Sequence, residues 1–138
     1  MKFFRPTENT HFHLDYSWFD KNGQDINVLI NQCLTPEQQA RLADAPSNEA
    51  FDFVDEMTGE VRRVTRAIQI IRAERADDPD FIGDRLPVAE SVFRIFLLNN
   101  NEPLTAADLA ARINRRPVEV LNQLGGRAVY RGIRPVSE

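Results

Sequence analysis

The chain has one cysteine, Cys33, among its 138 residues, which excludes an internal disulfide and any all-cysteine zinc site within one copy. It also lacks an apolar run approaching the ~20 residues that cross a bilayer. Its first residues, Met1-Lys2-Phe3-Phe4-Arg5-Pro6, do not contain the ~7–15-residue apolar stretch of a secretory signal. These absences together make the cytoplasm the expected compartment. Basic charge is not in excess either, because 17 Lys and Arg stand against 21 Asp and Glu, a net −4 that argues against a protein coating nucleic acid wholesale. No glycine-rich phosphate cradle, nucleophile elbow or pair of catalytic carboxylates is visible, so neither an enzyme nor a cofactor is expected. What is present, 42% hydrophobic and 28% charged residues, suits one compact domain or two small ones sharing a core.

The charge is unevenly spread along this globular chain. Residues 1–85 carry 10 Lys and Arg against 16 Asp and Glu, whereas residues 86–138 carry 7 against 5, so −6 is followed by +2. Such asymmetry points to nucleic-acid contact by one part only. The expected division is an acidic unit over residues 1–80 and a basic module over 84–138, parted at Asp77-Asp78-Pro79-Asp80 or at Gly83-Asp84.

In the first unit, Phe12, Leu14, Tyr16 and Trp18 alternate with His11, His13, Asp15 and Ser17. That is the period of a half-buried strand. Asn22-Gly23 suits a tight turn, and Ile26, Val28 and Ile30 alternate as a returning strand, which predicts a hairpin. Thr35-Pro36-Glu37-Gln38 carries an N-cap hydroxyl, a first-turn proline and the reciprocal capping residue of a short helix ending near Ala43. A second hairpin is expected from Phe51–Asp55 and Glu60–Val64 through Glu56-Met57-Thr58-Gly59, followed by a helix capped by Thr65 with Ile68 and Ile71 inward. A longer helix starting near Val61 also fits that apolar stripe. The fold class is therefore α+β, with an antiparallel, hairpin-rich N-terminal unit whose aromatic strand face is either core or the contact for a homodimer or protein partner.

The C-terminal pattern is helical. Val88, Val92, Phe93, Phe96 and Leu97 share one flank of a helix over 87–98, which Asn99-Asn100-Asn101 stops. Thr105 caps a helix over 106–113 with Leu109, Ala110 and Ile113 inward. Asn114-Arg115-Arg116 is a three-residue turn, with Asn114 suited to a left-handed backbone. Pro117 opens a third helix with Val120, Leu121 and Leu124 inward, closed by Gly125-Gly126, and Ala128–Val136 reads as a strand.

Three helices, the last two joined by a tight turn, and a strand resemble a winged helix-turn-helix domain over about residues 84–136. The likeness sits in LTAADLAARINRRPVEVLNQLGG, residues 104–126. Ala110 matches the small residue at the helix crossing, Asn114 the turn position more often filled by glycine, and Leu109, Ile113, Val120 and Leu124 the core. Arg115 departs from the pattern at a position that is usually apolar, with Val118 available to turn inward in its place. The wing departs too: either it is one strand, or Arg131-Gly132 bends very tightly.

The resemblance implies a non-enzymatic DNA-binding protein of transcriptional-regulator type, its third helix entering the major groove. The candidate contacts are Arg112, Arg115, Arg116, Glu119, Asn122, Gln123, Arg127 and Arg131. Arginine suits guanine edges and phosphates, and Asn and Gln suit adenine. The alternative is a protein-interaction or structural module whose helix-turn-helix binds no DNA.

Other clusters carry less. His11, His13 and Asp15 could form part of a metal shell, but no further ligand has diagnostic spacing, and a solvated strand face explains them as well. Cys33 has no neighbouring His or Lys and reads as a small buried or half-buried residue. Arg62, Arg63, Arg66, Arg72 and Arg75 lie among Asp52, Asp55, Glu56, Glu60 and Glu74, which suggests mutual pairing.

Overall fold

The computed structural model describes residues 5–44, 51–54, 61–64 and 66–136. Among them are seven helices and five strands, in a mixed α+β arrangement. The chain forms two compact units, one made of Met1–Ile26 with Asp78–Glu138 and the other of Asn27–Asp77. No helix among the described residues is long and apolar enough to cross a membrane.

The first unit is built on a three-stranded antiparallel sheet whose central strand comes from the start of the chain. Strand β1 (His11–Leu14) buries Phe12 and Leu14, the residues of alternating period. The alternation then stops at Asp15, whose carboxylate accepts the Ser17 backbone N–H at 3.1 Å and the Ser17 hydroxyl at 2.6 Å. An aspartate in that position caps a helix, and α1 (Tyr16–Lys21) begins there instead of a longer strand. The aromatic face expected over 12–18 is thereby divided: Phe12 and Leu14 lie in the core of this same chain, and Tyr16 is exposed. Asn22-Gly23 does turn the chain, with Gly23 at φ 63°, but it closes α1 rather than a hairpin.

The predicted return strand is also corrected, because Ile26–Gln32 is helix α2. Its inward residues, Ile30 and then Cys33, follow the helical spacing of Ile26, Leu29, Ile30 and Cys33, while Val28 of the apparent alternation is 56% exposed.

In the second unit, α3 (Pro36–Asp44) starts as predicted. The Gln38 side chain accepts the Thr35 N–H at 2.9 Å and the Thr35 hydroxyl accepts the Gln38 N–H at 3.2 Å. Strands β2 (Phe51–Val54) and β3 (Val61–Val64) pair antiparallel, Phe51 opposite Val64, which leaves the hairpin standing and removes the longer-helix alternative. The turn at 56–59 and the Thr65 cap lie outside the described residues. Helix α4 (Arg66–Glu74) buries Ala67, Ile68 and Ile71. Glu74 accepts hydrogen bonds from Arg41 and Gln38 of α3, and Arg75 donates to the Cys33 carbonyl.

The rest of the chain returns to the first unit. Helix α5 (Val88–Leu98) buries not one flank but nearly its whole circumference, and it is the unit's central helix. Its two buried polar side chains hold the preceding loop: Ser91 exchanges hydrogen bonds with the Gly83 backbone, and Arg94 donates to the Phe81 carbonyl at 3.0 Å and to Glu90 at 3.1 Å. The Arg94 guanidinium also lies 4.7 Å from the centre of the buried Phe81 ring. After α5, Asn100 and Asn101 both take left-handed backbone, at φ 61° and 57°. Asparagine tolerates this better than other residues with a Cβ.

Strand β4 (Leu104–Thr105) pairs with β1 and leads into α6 (Ala106–Arg112), which a tight turn joins to α7 (Pro117–Leu124). A second tight bend at Arg131-Gly132, with φ 53° and 72°, feeds β5 (Ile133–Pro135), which closes the sheet on the other side of β1. The sheet order is thus β4-β1-β5, with Phe12 opposite both Leu104 and Pro135.

Two devices fix the central strand. Asn101, buried, uses its carboxamide as a peptide group would, accepting the Leu14 N–H at 2.7 Å and donating to the Leu14 carbonyl at 2.9 Å. Asp15 carries the ladder on by donating its N–H to the Gly132 carbonyl at 2.8 Å and accepting from Arg134 at 2.9 Å.

Candidate functional site

The α6–turn–α7 segment contains most of the candidate residues, and its geometry follows from local chemistry. Thr105 caps α6 by accepting the Asp108 N–H at 3.0 Å, and Asp108 accepts the Thr105 N–H in return. Ala110, buried, lies where α6 meets α7, and its carbonyl accepts the Arg115 N–H at 2.9 Å. Asn114 takes φ 56° as expected and donates its side-chain amide to the Asp84 carboxylate at 3.0 Å. Pro117 then opens α7, where a missing N–H costs nothing. Val120 and Leu124 face the core, as does Ile113 at the end of α6.

The arginines that lead α7 have different surroundings. Arg115 donates to the Asp84 carbonyl at 2.8 Å and lies 3.7 Å from Glu119. It thus fastens the turn to the loop before α5, and this accounts for a charged residue where the resemblance implies an apolar one. Val118 does not turn inward and is 49% exposed. Arg116 projects outward, its side chain 79% exposed. Glu119 accepts the Arg116 backbone N–H at 2.8 Å. This satisfies one of the helix's unpaired N-terminal donors, but arginine has no acceptor with which to complete a reciprocal cap.

Asn122 and Gln123 are exposed on α7, and Arg112 and Arg127 are exposed on either side of it. Arg131 is half-buried, its guanidinium 5.9 Å from the centre of the Phe93 ring in α5. Arg131 also belongs to the bend at the Leu14 end of β1, whereas the start of α6 lies at the His11 end. Six of the eight candidates therefore lie on α6, the turn and α7; Arg127 follows α7, and Arg131 sits on a separate bend.

Sequence reasoning missed Asp84 as the anchor of the turn, and nothing local marks it, since its partners are 30 and 31 residues away. It also missed the pairing of Asp15 with Arg134, 119 residues apart. Burial on its own would raise the Asp15 pKa. The hydrogen bonds from Ser17 and Arg134, with the Arg134 charge, outweigh it and hold this carboxyl below the ordinary range. Asp15 is thus committed to a structural role, and among the described residues no three His, Cys, Asp or Glu side chains are grouped to hold a metal. Cys33 is buried, as the sequence reading expects. Compared with protein-family models, with curated proteins and with solved structures, the chain gives no match.

Proposed function

We propose that the first unit is a winged-helix-like, non-enzymatic module that contacts duplex DNA through α7, in the manner of a transcriptional regulator. The observation that carries this reading is the division of α7: Val120 and Leu124 are buried, while Arg116, Asn122 and Gln123 face solvent beyond a turn fixed by Asp84. Arg112 and Arg116 meet phosphates, and Asn122 and Gln123 meet base edges in the major groove. The order α5, β4, α6, turn, α7, β5 supports the resemblance. In this reading Arg115 holds the turn and does not touch DNA.

The test is binding of random-sequence duplex by fluorescence anisotropy at low and moderate salt. Wild type binds at low salt, and Arg116→Ala with Arg112→Ala lowers the slope of log affinity against log salt by about 0.9 for each phosphate that is no longer neutralised. Absence of binding by the wild type at low salt defeats the reading.

A protein-interaction module is the second reading. It is favoured by exposed Val118 on α7 and by the charge of the whole first unit, 11 Lys and Arg against 12 Asp and Glu. It expects no duplex binding at any salt.

A further inference from the structure

The start of α7 sets an exposed positive charge beside a tethered negative one. Glu119 Oε2 accepts the Arg116 backbone N–H at 2.8 Å and lies 4.0 Å from Arg116 Nε, while Glu119 Oε1 is 3.7 Å from Arg115 Nη1. The bond to the backbone keeps the carboxylate on the first turn of the helix wherever the Arg116 side chain goes. That side chain is 79% exposed, so a phosphate can reach it, while the carboxylate is held by its bond to the backbone. Arg115, fastened by its Nη2 to the Asp84 carbonyl at 2.8 Å, keeps its charge beside Glu119 and offsets part of it, so the carboxylate also draws on the positive charge that Arg115 would otherwise present. A phosphate approaching this end meets the attraction of Arg116 and the repulsion of Glu119, whose Oε2 lies 4.0 Å from Arg116 Nε.

We infer that Glu119 is a specificity-determining residue of the proposed interface, a tethered counter-charge that weakens phosphate binding at the leading end of α7. The inference rests on the DNA reading above. Its consequence is a shift of discrimination toward base edges. Sequence-independent affinity comes from neutralised phosphates, so suppressing it leaves a larger share of the binding free energy to the contacts of Asn122 and Gln123. Glu119 itself reads no base: one oxygen is held by the helix start and the other faces Arg115.

Glu119→Gln isolates the charge, because glutamine retains an oxygen to accept the Arg116 N–H. Thermal melting of the full chain establishes that the variant folds as wild type does. Binding to random-sequence duplex is then measured at several salt concentrations for wild type, Glu119→Gln, Arg116→Ala, the double variant, and Glu102→Gln, which makes the same change in net charge on the loop after α5. An exposed ion pair such as Glu119 with Arg116, 4.0 Å apart, is worth at most about a five-fold change in affinity. Glu119→Gln is therefore expected to bind random duplex about two- to five-fold tighter, with a steeper salt slope. Glu102→Gln is expected to match wild type, and in the Arg116→Ala background the gain is expected to shrink below about two-fold. If wild type binds and Glu119→Gln binds no tighter, or if Glu102→Gln gains as much, the role assigned to Glu119 is overturned while the DNA reading stands. If wild type does not bind duplex at low salt, the DNA reading falls, and this role with it.

Discussion

Asn101 shows how much one side chain holds in place. Its carboxamide supplies both hydrogen bonds that Leu14 would otherwise seek from another strand, in a site closed to water. Removing it leaves a buried donor and a buried acceptor unmade, and each such loss costs about 1–3 kcal/mol. Asn101→Ala is therefore expected to destabilise the protein by about 3 kcal/mol in a denaturant titration; a loss under about 1 kcal/mol would show that the pairing is dispensable. The glycines offer a sharper comparison, since Gly23 and Gly132 share the left-handed backbone at φ 63° and 72° but not the surroundings. A Cβ at Gly23 meets nothing, whereas at Gly132 it would fall against the Phe19 ring. Gly23→Ala is expected to cost about 1 kcal/mol, the backbone penalty alone. Gly132→Ala should cost about 3 kcal/mol, because overpacking adds to that penalty, and equal costs would rule out the ring contact. Asp15 adds a pH dependence. Its pKa is lowered in the folded state, so its contribution to stability is complete above the ordinary carboxylate range and is lost as pH falls through the folded value. Asp15→Asn is expected to flatten the fall in melting temperature between about pH 5 and pH 2.

At the scale of elements, the α6–turn–α7 pair separates structural from exposed arginine. Arg115→Ala breaks a hydrogen bond between a charged group and the Asp84 carbonyl, a kind worth about 1.5–3 kcal/mol when well shielded. Arg115 is partly exposed, so a loss of about 1–2 kcal/mol is expected in thermal or urea unfolding. Arg116→Ala, at a side chain 79% exposed, is expected to leave the melting temperature within about 1 °C of wild type. The reverse ranking would mean that Asp84 does not anchor the turn. Helices α5, α6 and α7 begin and end close to where their local signals place them, because a cap residue, a first-turn proline and an asparagine at positive φ act within four residues. The first 32 residues mislead for the complementary reason. Over so short a stretch Phe12-x-Leu14-x-Tyr16-x-Trp18 fits a strand, and only the Asp15-to-Ser17 cap and the Ile26, Leu29, Ile30, Cys33 spacing favour helices after Leu14.

At the scale of the molecule, the arrangement that matters most is the insertion of β1 between β4 and β5. Neither flanking strand pairs with the other, so the sheet of the first unit exists only when the start of the chain returns to its end. Deleting residues 1–15 removes the central strand and the buried Phe12 and Leu14 with it. The truncated chain is expected to lose the cooperative unfolding transition of the first unit, as followed by near-ultraviolet circular dichroism. A sharp transition retained near the wild-type temperature would show that helices α5 to α7 suffice without the sheet. The same insertion changes the charge argument. Cutting the sequence at residue 85 gives a basic module, but the compact unit that holds α7 also includes Glu8, Asp15, Asp20 and Asp25 and carries 11 basic residues against 12 acidic ones. Duplex binding therefore depends on where the arginines lie, and not on an excess of them.

The amino-acid sequence by itself determined the helices of the C-terminal part, the Thr35–Gln38 cap and the buried residues of α6 and α7. Each of these is set by neighbours in the chain or by a period of about 3.6 residues. Only the tertiary structure decided that β1 is the central strand, that Asn101 completes it, that Arg134 is taken by Asp15, and that of two adjacent arginines one is a fastening and the other an exposed charge. Those outcomes depend on partners 30 to 119 residues away. A hydrogen-bond donor in the sequence carries no mark of which distant carbonyl or carboxylate the fold will bring to it.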